Sequence, residues 1–380
     1  MLKGHREPDP VAGGSALLFW SKIAGNAGFF VAVLILARAL GPTGRGTIAF
    51  ITVTALVAAR LAGLGITEAT TVFVARRVEV RGALLTNAVV FLFGSALLTA
   101  AVACGALIAL GDQGPAGIGA PELAVIVAAT VVSAMGDAGY CVLLGCGRLR
   151  PLALITATAS WVYPVFLLAI WSTAGLTVLG AAVAWTVAES IRAGAYLAQS
   201  RRGLSLSRPD SGLLLEAVRF GSRAWVGSLA RFLNFRTDQI LMGFLATEAA
   251  LGVYAVAVNA SEVLLYLPAA MATALLPAAA RTEVGQRTER ALRAVRSAAL
   301  VTAAAALVAA LIFSNALVAH SAPGLSSVGP LVSLVVGIGL DLVLIPRFGA
   351  SGAAAAASAA FLAGGCTGLL VFRRGSPFAW

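Results

Sequence analysis

The stretch Arg231–Gly243, RFLNFRTDQILMG, places charged side chains inside an apolar run, from about Trp225 to Phe244, that predicts a membrane span. It contains two arginines, Arg231 and Arg236, and one acid, Asp238. A charged side chain at the bilayer centre costs roughly 2.5–3.5 kcal/mol on insertion scales. We therefore expect these side chains to be partly paired and to face a wet cavity instead of lipid.

Two further cations occupy predicted spans, Lys22 in the first and Arg60 in the second. Four such residues facing lipid would cost on the order of 10 kcal/mol, which is comparable to the stability of a whole domain. These four cations are therefore the predicted cavity set, and the guanidinium fork of the three arginines matches oxyanions such as phosphate. Two alternatives remain open: Lys22 could snorkel to the inner interface, and Arg60 could pair with Glu68, although a spacing of eight residues puts them two turns apart.

Acidic side chains within predicted spans are the candidates for coupling transport to a proton or Na⁺ gradient. The three favoured are Asp238, Glu262 and Glu68. Structural pairing with cations is the preferred interpretation for each of them. Further acids in the spans are Asp137, Glu189, which lies close to Arg192, and Asp341.

The composition is that of a membrane protein. Of 380 residues 59% are hydrophobic and only 11% are charged, whereas soluble domains are about 25% charged. The net charge of +11 comes mostly from loops between spans, as the positive-inside rule expects, so nucleic-acid binding is disfavoured. The four cysteines form no CxxC pair and the two histidines stand alone, so we expect no metal site, cofactor or disulfide framework.

Eleven apolar segments are long enough for a span of about 20 residues. They cover approximately residues 16–40, 47–73, 84–110, 123–144, 152–171, 178–198, 225–244, 252–276, 298–319, 331–345 and 353–372. The sequence therefore predicts an all-α, polytopic membrane protein with about 11 transmembrane helices and a cytoplasmic N-terminus. An odd number of spans places Arg373 and Arg374 outside, which conflicts with the positive-inside rule.

An internal repeat divides the chain. Ile35–Arg76 is similar to Ile240–Arg281 at an offset of 205 residues, and Gly180 corresponds to Gly352 at an offset of 172. The second half is thus 33 residues shorter, about one span and a loop. We predict an N-terminal six-helix bundle over residues 1–200, a cytoplasmic linker over 201–222, and a C-terminal bundle over 223–380 that lacks one span.

Several segments carry a family resemblance: LARALGPTGRGTIAF, RFLNFRTDQILMGFL, LGVYAVAVNASEVLLYLP and LDLVLIPRFGASGAAAA. With them the chain resembles the oligosaccharide-lipid (O-antigen and polysaccharide) flippase branch of the multidrug/oligosaccharidyl-lipid/polysaccharide exporter superfamily. The resemblance implies two pseudo-symmetric bundles around a cavity that opens alternately to each side of a bacterial cytoplasmic membrane. It also implies a substrate, an oligosaccharide linked to undecaprenyl pyrophosphate. The chain departs from the family pattern where the tenth span is expected.

A flippase for a lipid-linked oligosaccharide is the leading functional hypothesis, with the lipid-linked glycan, membrane lipid and glycan-assembly enzymes as partners. One alternative is a multidrug or cation antiporter of the same superfamily, which a cationic cavity disfavours. Another is a truncated, transport-dead relative that acts as a scaffold in glycan assembly. An enzyme is not expected, because no external loop is long enough to hold catalytic carboxylates.

Overall fold

The computed structural model describes residues 10–111, 118–205, 207–256, 258, 328–348 and 350–375. All regular secondary structure in these ranges is helical, which confirms the all-α prediction. Glu262, most of the predicted span 252–276 and the whole of 298–319 lie outside the described residues.

Six helices form the first half of the chain. They are α1 (Pro10–Ala62), α2 (Ile66–Arg76), α3 (Arg81–Leu110), α4 (Ala120–Gly145), α5 (Leu149–Thr173) and α6 (Val178–Arg201). The second half contributes α7 (Ser211–Asn234), α8 (Thr237–Leu245), a helical stretch over residues 248–256, α9 (Val328–Phe348) and α10 (Ala350–Gly375).

Five helices in the described ranges, α1, α3, α4, α5 and α9, are long and apolar enough to cross a membrane. Large apolar side chains such as Phe93, Leu98 and Val102 of α3 point away from the protein, as expected for helices in contact with lipid. Between the helices, small residues such as Ala96 and Ala129 are fully buried and allow close packing. The chain is a multi-pass membrane protein.

The first predicted span and most of the second are the two arms of α1, which bends at Gly41. This glycine has φ 66° and ψ −175°, and Pro42 follows it. The segment GPTGRG, whose glycines and proline predict a polar turn, is therefore a kink between two helical arms. The two arms of α1 lie on either side of this kink, which defines the end of the molecule that we call the kink end.

Two spans that the sequence analysis treated as continuous are interrupted, so the prediction was wrong on this point. The span 47–73 is broken between α1 and α2, where Leu64 and Gly65 have φ values of 42° and 91°. The span 225–244 is broken between α7 and α8, at Phe235 and Arg236. The positive φ at Gly65 favours glycine, whereas no glycine marks the second break.

The helix boundaries follow the two offsets of the sequence repeat. The kink at Gly41 corresponds to Ala246, which ends α8, 205 positions later. The first residues of α6 and α10, Val178 and Ala350, are 172 positions apart. These two helix boundaries of the first half thus have counterparts in the second half at the offsets of the sequence repeat.

The predicted linker over residues 201–222 is helical from Ser211 onward, and between α6 and α7 the described residues 202–205 and 207–210 are not helical. Asp210 caps α7, because its Oδ1 accepts hydrogen bonds from the N–H groups of Gly212 (2.9 Å) and Leu213 (3.1 Å). Asn87 of α3 donates to the Asp210 carbonyl (2.8 Å) and accepts from its N–H (2.9 Å). The start of α7 is therefore fixed to the first half. We call this region the linker end.

Further contacts hold the first turns of α7 against α2. Arg77 forms a two-pronged ion pair with Glu216, at 3.0 and 2.7 Å, and its guanidinium lies 4.8 Å from the Phe73 ring centroid. The Phe73 ring in turn packs against Phe220 at 5.1 Å. Hydrogen bonding to Arg77 holds the pKa of the Glu216 carboxyl below its ordinary value, and the same contact raises the pKa of Arg77.

At the kink end the two halves touch through their backbones. A Cβ added at Gly46 would lie 2.0 Å from the carbonyl oxygen of Glu248, and one at Gly252 would lie 1.9 Å from that of Pro42. Both distances are far below a van der Waals contact, so the second arm of α1 and the stretch 248–256 can cross only because these positions are glycine. Phe50 and Phe244 pack edge to face beside the crossing, with centroids 5.5 Å apart.

We predict that Gly46→Ala destabilises the protein by about 1–3 kcal/mol, because the added methyl group forces the two backbones apart. Thermal unfolding of the purified protein measures the effect. Gly94→Ala in α3 is the matched control, since a Cβ there meets nothing within 4 Å and alanine is the better helix former. Equal melting temperatures for Gly46→Ala and the wild type would contradict the close crossing.

We also predict that Glu216→Gln lowers the melting temperature at neutral pH and that this difference disappears in acid. A carboxyl whose pKa is depressed in the folded state stabilises that state above its unfolded pKa, and the stabilisation is lost as the pH falls through the folded pKa. The difference should therefore persist at neutral pH and close only below about 4.5, the ordinary value for this carboxyl. Arg77→Gln should show the same pH dependence, and the double variant should add nothing. A difference that is constant with pH would rule out the ion pair as its cause.

Candidate functional site

Two adjoining cavities of about 290 and 370 Å³ lie between the helices. Both are lined by Arg60, Thr67, Glu68 and Asp137, so we treat them as one space and call it the cationic cavity. Its walls come from all six helices of the first half and from α7 of the second. The cavity therefore lies where the two halves of the chain meet.

Four cations line the cationic cavity: Lys22, Arg60, Arg192 and Arg231. Three of them belong to the set predicted from the sequence. The fourth member of that set, Arg236, lines a separate cavity together with Arg45. The sequence analysis did not select Arg192 for the site, although its position three residues after Glu189 was a usable signal for a buried pair.

Arg60 lies in the last turn of α1, where the carbonyl end of a helix favours a positive charge. Its Nη1 is 3.3 Å from Asp137 Oδ2, and its guanidinium stands 5.5 Å from the Phe232 ring centroid, within cation–π range. Arg60 therefore pairs with Asp137, and the alternative pairing with Glu68 is wrong. The Arg60 side chain remains 49% exposed, which leaves donors free to face the cavity.

Glu68 lies in the first turn of α2, where the N–H end of a helix favours a negative charge. It accepts hydrogen bonds from the Thr67 hydroxyl (2.8 Å) and from the Ser228 hydroxyl of α7. Nearby, the Trp225 indole of α7 donates to the Arg60 carbonyl oxygen at 3.1 Å. Glu68 is thus a structural acceptor that joins the two halves across the cavity.

Lys22 and Arg231 carry the unbalanced charge of the cationic cavity. Neither forms an ion pair with any described residue. Arg231 belongs to the last turn of α7, and Lys22 projects from the first arm of α1 beside Tyr140 and Tyr196. Both are free to bind an anion.

The remaining lining adds aromatic groups and one closed ion pair. Arg192 is paired with Glu189, one turn away on α6. The Tyr196 hydroxyl is hydrogen-bonded to the Thr156 hydroxyl at 2.8 Å, and its ring packs edge to face on Tyr140. When Glu189 is counted with its partner Arg192, four cations face three carboxylates, Glu68, Asp137 and Glu189, and the formal charge of the site is +1.

Asp238 lies outside the cationic cavity, in the first turn of α8. It is buried, accepts a hydrogen bond from the Tyr254 hydroxyl, and accepts another from the N–H of Gln239 at 2.7 Å. Asp341 of α9 lies within electrostatic range of it. Asp341 is 3% exposed, and its Oδ1 has no hydrogen-bond partner among the described residues.

The end of α7 is attached to the last two helices through Asn234. The Ser333 hydroxyl of α9 lies 2.9 Å from Asn234 Oδ1 and 2.8 Å from the carbonyl oxygen of Ala360 in α10. The break after α7 is therefore held in place at the level where Arg231 enters the cavity. Within the described ranges, no cluster of three or more His, Cys, Asp or Glu side chains could hold a metal ion.

Residues 11–283 match the family described as "Polysaccharide biosynthesis protein". The match covers more than half of the chain. The chain belongs to the polysaccharide biosynthesis protein family. No curated protein matches the sequence of this family member.

Solved structures of transporters share the fold of this polysaccharide biosynthesis protein. "Lipid II flippase MurJ, inward closed conformation" is similar with a TM-score of 0.64 at 12% identity, over 94% of this chain and 86% of that one. "Inward-facing conformation of a multidrug resistance MATE family transporter of the MOP superfamily" gives 0.67 at 17% identity, over 92% and 94%. An outward-facing structure of such a transporter gives 0.65 at 14%, over 96% and 95%.

The family match confirms the polysaccharide-biosynthesis resemblance that was drawn from the sequence. At such low identities the solved structures establish the fold alone. The chain therefore shares its helical architecture with these transporters, and the chemistry of the polysaccharide biosynthesis protein has to be argued from its own cavity.

We predict that Asp137→Asn tightens the binding of inorganic pyrophosphate to the full-length protein by about two- to five-fold. The substitution removes one negative charge and releases Arg60 from a partly exposed pair worth roughly 0.2–1 kcal/mol. Isothermal titration calorimetry in detergent measures the affinity. Glu216→Gln is the control, because it also breaks an ion pair and removes one negative charge, but outside the cavity. If both variants tighten binding equally, the effect belongs to net charge and not to the cavity.

Proposed function

We propose that this family member is a flippase that moves an oligosaccharide linked to undecaprenyl pyrophosphate across a bacterial cytoplasmic membrane by alternating access. The observation that carries this proposal is the cationic cavity between the two halves, with Lys22 and Arg231 left without carboxylate partners. The family name and the fold shared with a lipid II flippase support it.

The chemistry of the substrate requires such a cavity. A pyrophosphate loses its hydration when it enters a membrane protein, and desolvating a charge costs several kcal/mol unless fixed countercharges replace the water. Lys22 and Arg231 supply two such charges from opposite halves, and Arg60 adds a guanidinium that Asp137 restrains. Hydrogen bonds to charged groups contribute about 1.5–3 kcal/mol each, so two or three of them offset the desolvation cost.

The aromatic side chains of the cavity are suited to the sugar part of the substrate. Tyr140, Tyr196 and Trp225 all line it, and each presents an apolar ring with a polar tip. Pockets of roughly 300–1,000 Å³ bury most of a drug-sized molecule. A cavity of this size holds the pyrophosphate and the first sugars, and the lipid tail remains in the membrane.

The proposed orientation places the linker end in the cytoplasm and the kink end outside. Arg76 and Arg77 lie at the end of α2 at the linker end, Arg81 begins α3 there, and Arg201 and Arg202 lie at the end of α6, as the positive-inside rule requires. In this orientation the crossing of Gly46 and Gly252 closes the outer side, and the cationic cavity lies to the cytoplasmic side of that crossing.

The coupling of transport to an ion or to the membrane potential is assigned to buried carboxylates. Asp238 is the proposed coupling or pairing acid of the second half, because it lies beside a second buried carboxylate, Asp341. Two close carboxylates do not both ionise readily, which suits the uptake of a proton or Na⁺. Glu68 serves as a pairing acid through Thr67 and Ser228, and Glu262 keeps its proposed role on the sequence alone.

An antiporter for cationic drugs is the second candidate. Two observations favour it: Glu68 and Asp137 line the cavity, and the fold is shared with multidrug transporters. The surplus of cations opposes it, because a cationic drug would be repelled. A scaffold without transport activity remains the third possibility for the shortened second half.

We predict that Arg231→Gln and Lys22→Gln each reduce flipping at least ten-fold, because each removes a charge-assisted hydrogen bond worth about 1.5–3 kcal/mol. The measurement is complementation of a bacterium that lacks its glycan flippase, followed by flipping in proteoliposomes. Arg219→Gln is the control, since Arg219 is exposed on the same helix as Arg231 and lies outside the cavity.

Each outcome separates the candidates. Full activity of the Lys22→Gln and Arg231→Gln double variant would refute the phosphate-binding role. A wild type that is expressed but inactive would favour the scaffold. Export of a cationic dye without flipping would favour the antiporter.

A further inference from the structure

Arg45 is a buried cation with no assigned role. It lies four residues after the kink in α1 and is only 5% exposed. It forms no ion pair with any described residue, and its Nε makes no hydrogen bond there. The family resemblance and the cationic cavity both leave it unexplained.

A second orphaned polar group lies beside it. Tyr163 of α5 is 6% exposed, and its hydroxyl has no hydrogen-bond partner among the described residues. The Tyr163 hydroxyl is within electrostatic range of the Arg45 guanidinium. Buried polar groups in native proteins are almost always satisfied, so two adjacent exceptions indicate something that completes them.

Both groups line one small cavity of about 60 Å³, separate from the cationic cavity. Its other polar members are Gln239, which is 6% exposed, Arg236, and Thr52, whose hydroxyl donates to a carbonyl of its own helix at 2.9 Å. Arg236 Nη1 donates to the carbonyl of Phe235 at 3.3 Å. The rest of the lining is mainly apolar, with Trp185 among it, and no carboxylate is present among the lining residues described.

The charge balance decides the kind of ligand. Arg45 brings a positive charge to the cavity that no described carboxylate balances, and a second guanidinium, a hydroxyl and an amide line the cavity with it. Water satisfies hydrogen bonds but does not neutralise a buried charge, whose desolvation remains costly. The volume is several times that needed for one water molecule, and it suits a single small anion better than a pyrophosphate with its sugar.

We propose that Arg45 and Tyr163, with Arg236 and Gln239, form a binding site for a phosphate-type anion near the kink end. Arg45 supplies the charge in a fork that matches tetrahedral oxyanions, and the Tyr163 hydroxyl donates one further hydrogen bond. The anion is either free inorganic phosphate or the phosphoryl group of a lipid. Binding of a lipid phosphoryl group rests on the proposed flippase function, whereas binding of free inorganic phosphate does not.

The test uses Trp185, which lines the site, in the full-length protein in detergent. Iodide quenches tryptophan fluorescence on contact, and the quenching that belongs to Trp185 is the difference between the quenching of the wild type and that of Trp185→Phe. We expect this Trp185 quenching to saturate as iodide is added at constant ionic strength and to be relieved by inorganic phosphate. Arg45→Gln should raise the half-effective concentrations of iodide and of phosphate at least ten-fold, and Tyr163→Phe should raise them about three-fold. Arg38→Gln, the same change at an exposed position in the other arm of α1, should leave them unchanged, because Arg38 does not line this cavity.

The proposal is overturned if Trp185 quenching does not saturate, if phosphate does not relieve it, or if Arg45→Gln matches the wild type. Any of these results means that the cavity holds water only. Should Arg45→Gln fail to fold, Tyr163→Phe and Arg45→Lys still test the site. Tyr163→Phe removes one donor, whereas Arg45→Lys keeps the charge and should bind within a few-fold of the wild type.

A second arm identifies the source of the anion. Relief of quenching by farnesyl diphosphate at concentrations similar to those of inorganic phosphate supports a lipid phosphoryl group. Relief by inorganic phosphate alone supports a resident free anion. Because this assay measures binding without transport, it can succeed when the flipping assay fails, and the two proposals stand or fall separately.

Discussion

The burial of charge at interrupted helices is the constraint on which this structure depends. Arg60 ends α1 and Glu68 begins α2, on either side of the turn at Gly63–Gly65. Arg231 and Asp238 stand in the same relation to the break between α7 and α8. A helix terminus favours the charge found at it by ~0.3–1 kcal/mol, which offsets part of the roughly 2.5–3.5 kcal/mol that such a charge costs in a membrane. Ion pairs and a wet cavity supply the rest.

The same breaks also join the two halves of the chain. At the first break, Trp225 donates to the Arg60 carbonyl, Ser228 donates to Glu68, and the backbones of Gly65 and Gly221 touch. At the second, Asn234 contacts Ser333 of α9. A change in the position of α7 relative to the first half must therefore alter the surroundings of Arg60, Glu68 and Arg231 together, so the charge of the cavity and the arrangement of the halves are coupled.

The fold was largely predictable because its signals are long. The apolar segments 84–110, 123–144 and 152–171 correspond to α3, α4 and α5 within a few residues, since about 20 apolar residues have few alternatives to a membrane helix. The repeat offsets were equally readable. The breaks inside the spans were not, because a membrane span is recognised by an average over its length and a turn of two or three residues hardly changes that average.

The candidate site was predictable in part for the same reason. Lys22, Arg60 and Arg231 were found because an isolated cation in an apolar run stands out. Arg236 was grouped with Arg231 on the assumption of one continuous helix, and the break at Phe235–Arg236 separates them into different cavities. Arg45 was read as part of a polar turn, and only the helical geometry after Gly41 shows that it is buried.

Helix α7 has a mechanical consequence as well. It runs without interruption from its cap at Asp210, where Asn87 fixes it, to Asn234. At 1.5 Å per residue, Arg231 stands about 31 Å from that fixed point. A rotation of about 10° around it would carry the guanidinium through roughly 5 Å, the length of one helical turn. α7 is in this sense a lever, and a small tilt about its linker end moves the charge sideways across the cavity by about that distance.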